Sequence, residues 1–175
     1  MTMVVESVLD SVRHARLLAD FDHICAIANV KPQFVHSSMK HQCDADEIDW
    51  VVNFRMYRST LAGLVIVEKT DSQDRCYAIC GALVRNFIDA RVITLNNLLD
   101  AVTDKSVPEP TVMVIPNLYV PSLPAWKSSL LYDVLLSRFT ANLPTVVAVE
   151  SMSKLQSLYG KAVHQHLTSH FKLSA

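Results

Sequence analysis

His36, His41 and Cys43 share one polar stretch and carry side chains that can ligate zinc. Their spacing matches no standard ligand pair and the stretch offers no evident fourth ligand, so it reads as ordinary loop polarity and no metal is expected. His166 and His170 stand at i and i+4, on one face of a helix. Without the glutamate of H-E-x-x-H they read as solvated or helix-capping side chains. Cys76 and Cys80 have the same spacing but lie on an apolar stripe, which makes them packing residues. There is no G-x-S-x-G elbow for a serine hydrolase. The chain has only three glycines, Gly63, Gly81 and Gly160, and phosphate-cradling loops depend on glycine for their left-handed backbone.

The elements that must position any such chemistry belong to one domain-sized chain. Half of its 175 residues are apolar, enough for one substantial core. Formal net charge is -1 and the Lys and Arg residues are scattered, so direct nucleic-acid binding is expected to be weak or absent. No apolar run reaches the roughly 20 residues that span a bilayer, and Met1 to Asp10 lack a signal-peptide pattern. A cytoplasmic location without membrane association is expected. Four cysteines without paired Cys-x-x-Cys knuckles read as free thiols.

Val5, Val8, Leu9, Val12, Leu17, Leu18, Phe21, Ile24 and Cys25 recur at helical intervals, which predicts one or two amphipathic helices over 4–28. Residues 1–30 are read as an N-terminal helical segment and 31–175 as the core, with no separate lid domain. Val5, Leu9, Val12 and Leu17 are the candidate partner-docking residues on that segment, which otherwise packs on the core. Val30-Lys31-Pro32 ends the helical signal, and 33–46 reads as a loop. A short helix follows over 46–58.

Leu61 to Val67 is a continuous branched apolar run, the pattern of a strand buried on both faces. After a polar stretch, Cys76, Ile79, Cys80, Leu83, Val84 and Phe87 form a helical stripe. Further strands are predicted over 91–95, 111–115 and 145–149. The helices between them are expected over 96–102 and around 130–139, with a terminal helix from Ser153 to about Phe171. Such alternation implies right-handed crossovers and a three-layer α/β fold, a parallel sheet with helices on both faces.

Several short segments resemble the AAA+ core of the DnaC/DnaI helicase loaders and IstB transposition ATPases. In order, they are Pro32-Gln33-Phe34, Gly63-Leu64, the run from Leu130 to Arg138 reading Leu-Leu-Tyr-Asp-Val-Leu-Leu-Ser-Arg, Pro144-Thr145 and Leu158-Tyr159-Gly160. The resemblance covers roughly 30–174 and implies a P-loop/AAA+-like sheet. It also implies where a nucleotide site would stand. A working phosphate loop reads G-x-x-x-x-G-K-[ST], its N–H groups cradling phosphate and its hydroxyl on magnesium. Placed after Val67, the motif falls on Glu68-Lys69-Thr70-Asp71-Ser72-Gln73-Asp74-Arg75. The glycine positions are Glu68 and Gln73, the lysine position is Asp74 and the hydroxyl position is Arg75. Asp71 and Asp74 would face a triphosphate, and like charges about 4 Å apart repel by a few kcal/mol at intermediate dielectric.

The Walker B strand of the family should end in acids that hold magnesium and activate water. Here it ends in Pro116 and Asn117, and the polar sensor position of the next strand is Glu150. The arginines expected after Leu-Tyr-Gly fall near Ala162 and His166. No nucleotide cofactor, no catalytic residue and no hydrolysis are therefore expected. The resemblance implies a non-hydrolysing adaptor for a replicative helicase or a related AAA+ ATPase, acting on helicase loading. Two alternatives stay open. One is a subunit of a mixed AAA+ assembly, homo- or hetero-oligomeric. The other is an unorthodox nucleotide hydrolase using Arg75, Asp71 and Glu150, with Lys69 or Arg75 standing in for the lost lysine.

Overall fold

A computed structural model describes residues 11–118 and 123–175. Val5 and Leu9 lie outside the described residues. The amphipathic N-terminal region forms α1 (Ser11–Ala19) and α2 (Phe21–Ala28), the latter closed by Asn29 in the left-handed conformation at φ 54°. Val12 on α1 is exposed; Leu17 belongs to the same helix.

The region expected to be a loop over 33–46 is instead largely helical. Pro32 does not only end a signal: it occupies the first turn of α3 (Pro32–His36), where a missing N–H costs nothing. A 3-10 turn follows at Met39–His41, and α4 (Ala45–Val52) and α5 (Phe54–Thr60) complete the segment. Tertiary burial overrides the polar composition, because Phe34, Val35 and Met39 all enter the core.

The alternating part then runs β1 (Gly63–Val67), α6 (Ser72–Arg85), β2 (Ala90–Val92), α7 (Leu95–Thr103), β3 (Val112–Ile115), α8 (Ala125–Thr140), β4 (Thr145–Val149), α9 (Met152–His170) and β5 (Phe171–Ser174). The second strand ends earlier than expected because Thr94 caps α7, its hydroxyl accepting the Asn97 N–H at 3.3 Å. The terminal helix is expected to include Phe171, but that residue opens a fifth strand, which the sequence does not predict. All pairings are parallel, in the order β2-β3-β4-β1-β5.

Strand alternation sorts the core into two halves. Leu64, Ile66, Val112, Val114, Val146 and Ala148 face α2, α3, α4 and α6, whereas Val65, Val67, Met113, Ile115, Val147 and Val149 face α7, α8 and α9. The sheet is thus covered on both faces, the arrangement that makes its strands apolar throughout. Each fully buried Ile79 or Leu83 on α6 contributes about 1.5–3 kcal/mol relative to exposure.

Two of the glycines mark close approaches of backbone. A Cβ on Gly81 would stand 2.2 Å from the Phe34 carbonyl oxygen, so α3 lies directly on α6. A Cβ on Gly63 would stand 1.7 Å from the Thr145 oxygen, where β1 meets β4. Gly160 has open space around it and instead kinks α9 with a φ of 84°.

Candidate functional site at the carboxyl edge of the sheet

In an open parallel sheet, ligand crevices form outside the carboxyl ends of the strands, where connections leave in different directions. Such a crevice is present here, with a volume of about 700 Å³. Glu68, Lys69 and Thr70 come from the turn after β1, Ser72 from the start of α6, Asn117 from the turn after β3, and Glu150, Ser151 and Lys154 from the junction of β4 and α9. Three positions singled out in the sequence, Glu68, Asn117 and Glu150, thus line one cleft. Pro116 is buried at the end of β3.

The turn from β1 to α6 is short. Glu68 takes a left-handed backbone, φ 55°, and its N–H donates to the Val149 carbonyl at 3.0 Å. Asp71 stands at the N-cap position of α6 without a side-chain capping bond, and Ser72, Gln73, Asp74 and Arg75 form the helix's first turn. These residues diverge. Ser72 lines the cleft, whereas Gln73 and Asp74 line a second one, of about 610 Å³, between α6 and the α2–α3 junction.

Arg75 enters neither cleft. Its Nη1 donates to Glu47 at 3.0 Å and lies 3.1 Å from Asp44 Oδ2, and its Nε donates to Asp71 at 2.6 Å. Burial of the guanidinium works against its charge, but Asp71 and Asp44 outweigh it and hold the group firmly protonated. Arg75 in turn holds the Asp71 carboxyl below the usual carboxylate range. Lys69 sits 2.8 Å from Asp44, and Lys69 followed by Arg75 lowers the pKa of that carboxyl. Lys69 and Arg75, the stand-ins for the lost lysine, are therefore paired with acids of this chain, while Lys154 also lines the cleft. Of Arg75, Asp71 and Glu150, only Glu150 faces the cleft.

Glu47 is the residue that sequence reasoning missed. It is wholly buried on α4, and its carboxylate accepts from Arg75, from the Asp44 backbone N–H at 2.9 Å and from the Ser174 hydroxyl at 2.9 Å. Its sequence signal was Asp44-x-x-Glu47, a reciprocal helix-start pattern. Arg138, which closes the Leu130–Arg138 resemblance segment, is also structural. It is 5% exposed and donates to Thr145 Oγ1 and to the carbonyls of Pro110, Thr111 and Pro144, holding together the amino edges of β3 and β4. Burial lowers its pKa to about 10, opposed by Glu109.

The other candidate clusters are dispersed. His36 packs against Phe21 in a tilted ring contact with centroids 4.6 Å apart, while the Cys43 thiol lies 3.9 Å from the Arg75 carbonyl. Among the described residues no group of three or more His, Cys, Asp or Glu side chains is placed to hold a metal ion, and no helix is long and apolar enough to cross a membrane. Cys25, Cys43, Cys76 and Cys80 are buried free thiols, and burial pushes Cys80 up to about 12. His166 is not solvated as expected: it is 5% exposed and packed edge-on against Tyr132, Phe139 and Phe171.

No protein-family model matches this chain, and no curated protein matches it either. Solved structures do. The DnaC helicase loader superposes with a TM-score of 0.56 at 10% identity, over 82% of this chain and 98% of that one. DnaI superposes at 0.52 with 13% identity, over 82% and 93%. DnaA from Aquifex aeolicus with bound AMPPCP gives 0.61 at 7% identity, over 83% of this chain and 50% of that one. A DNA replication initiation factor gives 0.60 at 5% identity with the same coverage, so this chain spans about half the length of these last two. At such identities the likeness is one of architecture, and the chain shares the parallel α/β fold of the DnaC helicase loader and of DnaI.

Proposed function

We propose that this protein is a non-hydrolysing adaptor of the DnaC type, which binds a replicative helicase or a related AAA+ ATPase and modulates helicase loading. The observation that carries this reading is the composition of the cleft. Glu68 and Glu150 stand at the first cradle position and the sensor position, Asn117 follows the strand that should end in metal-binding acids, and Arg75 is drawn away by Glu47. Phosphoryl transfer rests on positioning and electrostatic groups, and here Glu68 and Glu150 repel a triphosphate while Lys69 and Arg75 are engaged by acids, which leaves Lys154 as the cleft's other cation. A fold kept without its chemistry is kept for its surfaces, and DnaC and DnaI are the neighbours of matching extent.

Titration with a fluorescent ATP analogue in the presence of magnesium tests the chemistry. The adaptor reading expects no saturable binding at millimolar nucleotide, and magnesium-dependent turnover abolished by Asp74→Ala or Arg75→Ala sinks it. Affinity purification of the tagged protein from its native cells tests the partner. Recovery of a replicative helicase or its loader is the expected result, followed by a change in helicase loading when the protein is added.

A further inference from the structure

At the opposite, amino edge of the sheet two adjoining grooves of about 760 and 350 Å³ share Phe87, Ile88 and Asp89, the larger of mixed polar and apolar lining and the smaller mainly apolar. Val52 is 73% exposed, Met56 53%, Ile27 45% and Phe87 36%, a concentration of large apolar side chains that a monomer surface seldom leaves open. Phe87 adds an independent sign. It follows the C-cap of α6 with φ 60°, and the Ile88 N–H closes the helix onto the Leu83 carbonyl at 3.0 Å. Glycine is the residue for this left-handed position, and a bulky aromatic there is strained. Strained residues of this kind cluster at ligand clamps and switch regions, although Lys105 and Asn142 take the same turn after their helices.

The rim decides what kind of partner fits. The grooves carry three arginines, Arg55, Arg58 and Arg91, against one aspartate, Asp89. Asp89 is already engaged by Arg91, whose Nε lies 3.1 Å from its Oδ1. Arg55 on α5 is exposed, and Arg58 donates to the Asn142 carbonyl at 3.0 Å. The surface is therefore locally basic on a chain whose formal net charge is -1. We infer that this face docks an acidic amphipathic segment of a partner protein, its apolar side chains entering beside Met56 and Phe87 and its carboxylates meeting Arg55 and Arg58. Neither α1 nor the cleft at the carboxyl edge takes part. The inference stands apart from the adaptor reading, since it fixes the chemistry of the occupant and not its identity.

The test is a photo-crosslinking amino acid at Val52 or Ile27 in the full-length protein in its native cells, with sequencing of the captured peptide. The expected capture is one short peptide, net acidic with apolar residues at helical spacing. Crosslinking yield should fall about tenfold with Met56→Asp and with the pair Arg55→Glu and Arg58→Glu, exposed changes that leave the core intact. That captured peptide, synthesised, should bind the purified protein more weakly as salt rises. Capture of a basic or neutral peptide, of a second copy of this chain, of lipid or of nothing overturns the inference, as does a yield indifferent to the arginines. Capture of an acidic segment from a protein unrelated to helicase loading supports this docking face and counts against the adaptor reading.

Discussion

Arg75 Nη1 lies 3.0 Å from the Glu47 carboxylate, and that same carboxylate accepts a hydrogen bond from Ser174, 127 residues further along the chain. One buried acid thereby ties the start of α6 to α4 and to the last strand. Beside it, Lys172 on β5 lies 2.6 Å from Asp49 on α4 and over the Tyr57 ring at 5.0 Å. Lys172, then Tyr57 and Asn53, hold the Asp49 carboxyl down to about 2. The first turn of α6, where a phosphate loop would end, is built into the scaffold.

Removing one partner of a buried pair leaves the other charge without compensation, which costs far more than the pair contributes. Arg75→Met, which strips the buried Glu47 of its cation, should therefore lower unfolding free energy by about 3–5 kcal/mol, whereas Glu47→Ala leaves Arg75 bonded to Asp44 and Asp71 and should cost less. Glu47→Ala combined with Arg75→Met should recover part of that loss. Urea denaturation of the two single variants and the double variant checks the coupling; strict additivity would refute it.

His166 gives the protein a pH dependence of known sign. Burial, with the nearby His170 adding to it, pushes its pKa below the ordinary histidine value, and its Nε2 has no hydrogen-bond partner among the described residues. The unfolded chain therefore takes up the proton more readily than the fold does. Stability should be full above the ordinary value of about 6.5 and fall as pH drops from there through the lowered folded value. The slope contributed by this one site cannot exceed about 1.4 kcal/mol per pH unit. His166→Phe, which keeps a ring beside Tyr132 and Phe139, should flatten the profile between pH 7 and 5.5, read by chemical denaturation at each pH.

Gly81 and Gly160 separate two costs of adding a methyl group. Gly81→Ala drives a Cβ against the Phe34 carbonyl and must push α3 off α6, a loss of about 1–3 kcal/mol. Gly160→Ala meets no neighbour but must hold φ 84° and ψ 169°, a backbone essentially reserved for glycine, at about 1–3 kcal/mol. Urea midpoints should fall for both. A hydrogen-exchange comparison should show α3 losing protection only in the Gly81 variant.

The parts of this molecule that were legible in sequence are those whose pattern arises from burial on regular elements. β4 lies where its branched run places it, and α6 carries its stripe of Cys76, Ile79, Cys80 and Leu83 inward. Glu68, Asn117 and Glu150 come together because strand ends in a parallel sheet converge at one edge. β5 was illegible because α9 passes from His170 into Phe171 with no glycine or proline between them, and only pairing with β1 makes those last residues a strand. α3 was hidden by its polar surroundings, and Glu47 by looking like any glutamate in the first turn of a helix. Each depends on contacts distant in the chain, which local composition does not encode.

The strain at Phe87 can be measured apart from its ring. Phe87→Ala and Phe87→Gly both remove the aromatic side chain and whatever packing it makes with Ile24 and Ile88 in the groove. They differ only in the residue left at φ 60°, which alanine tolerates poorly and glycine adopts freely. The glycine variant should therefore be more stable than the alanine variant by about 1 kcal/mol. Equal stabilities would mean that the backbone there relaxes once the ring is gone. In that case the ring, held in place by its own contacts, imposes the left-handed turn, and only exposure and charge mark this face for docking.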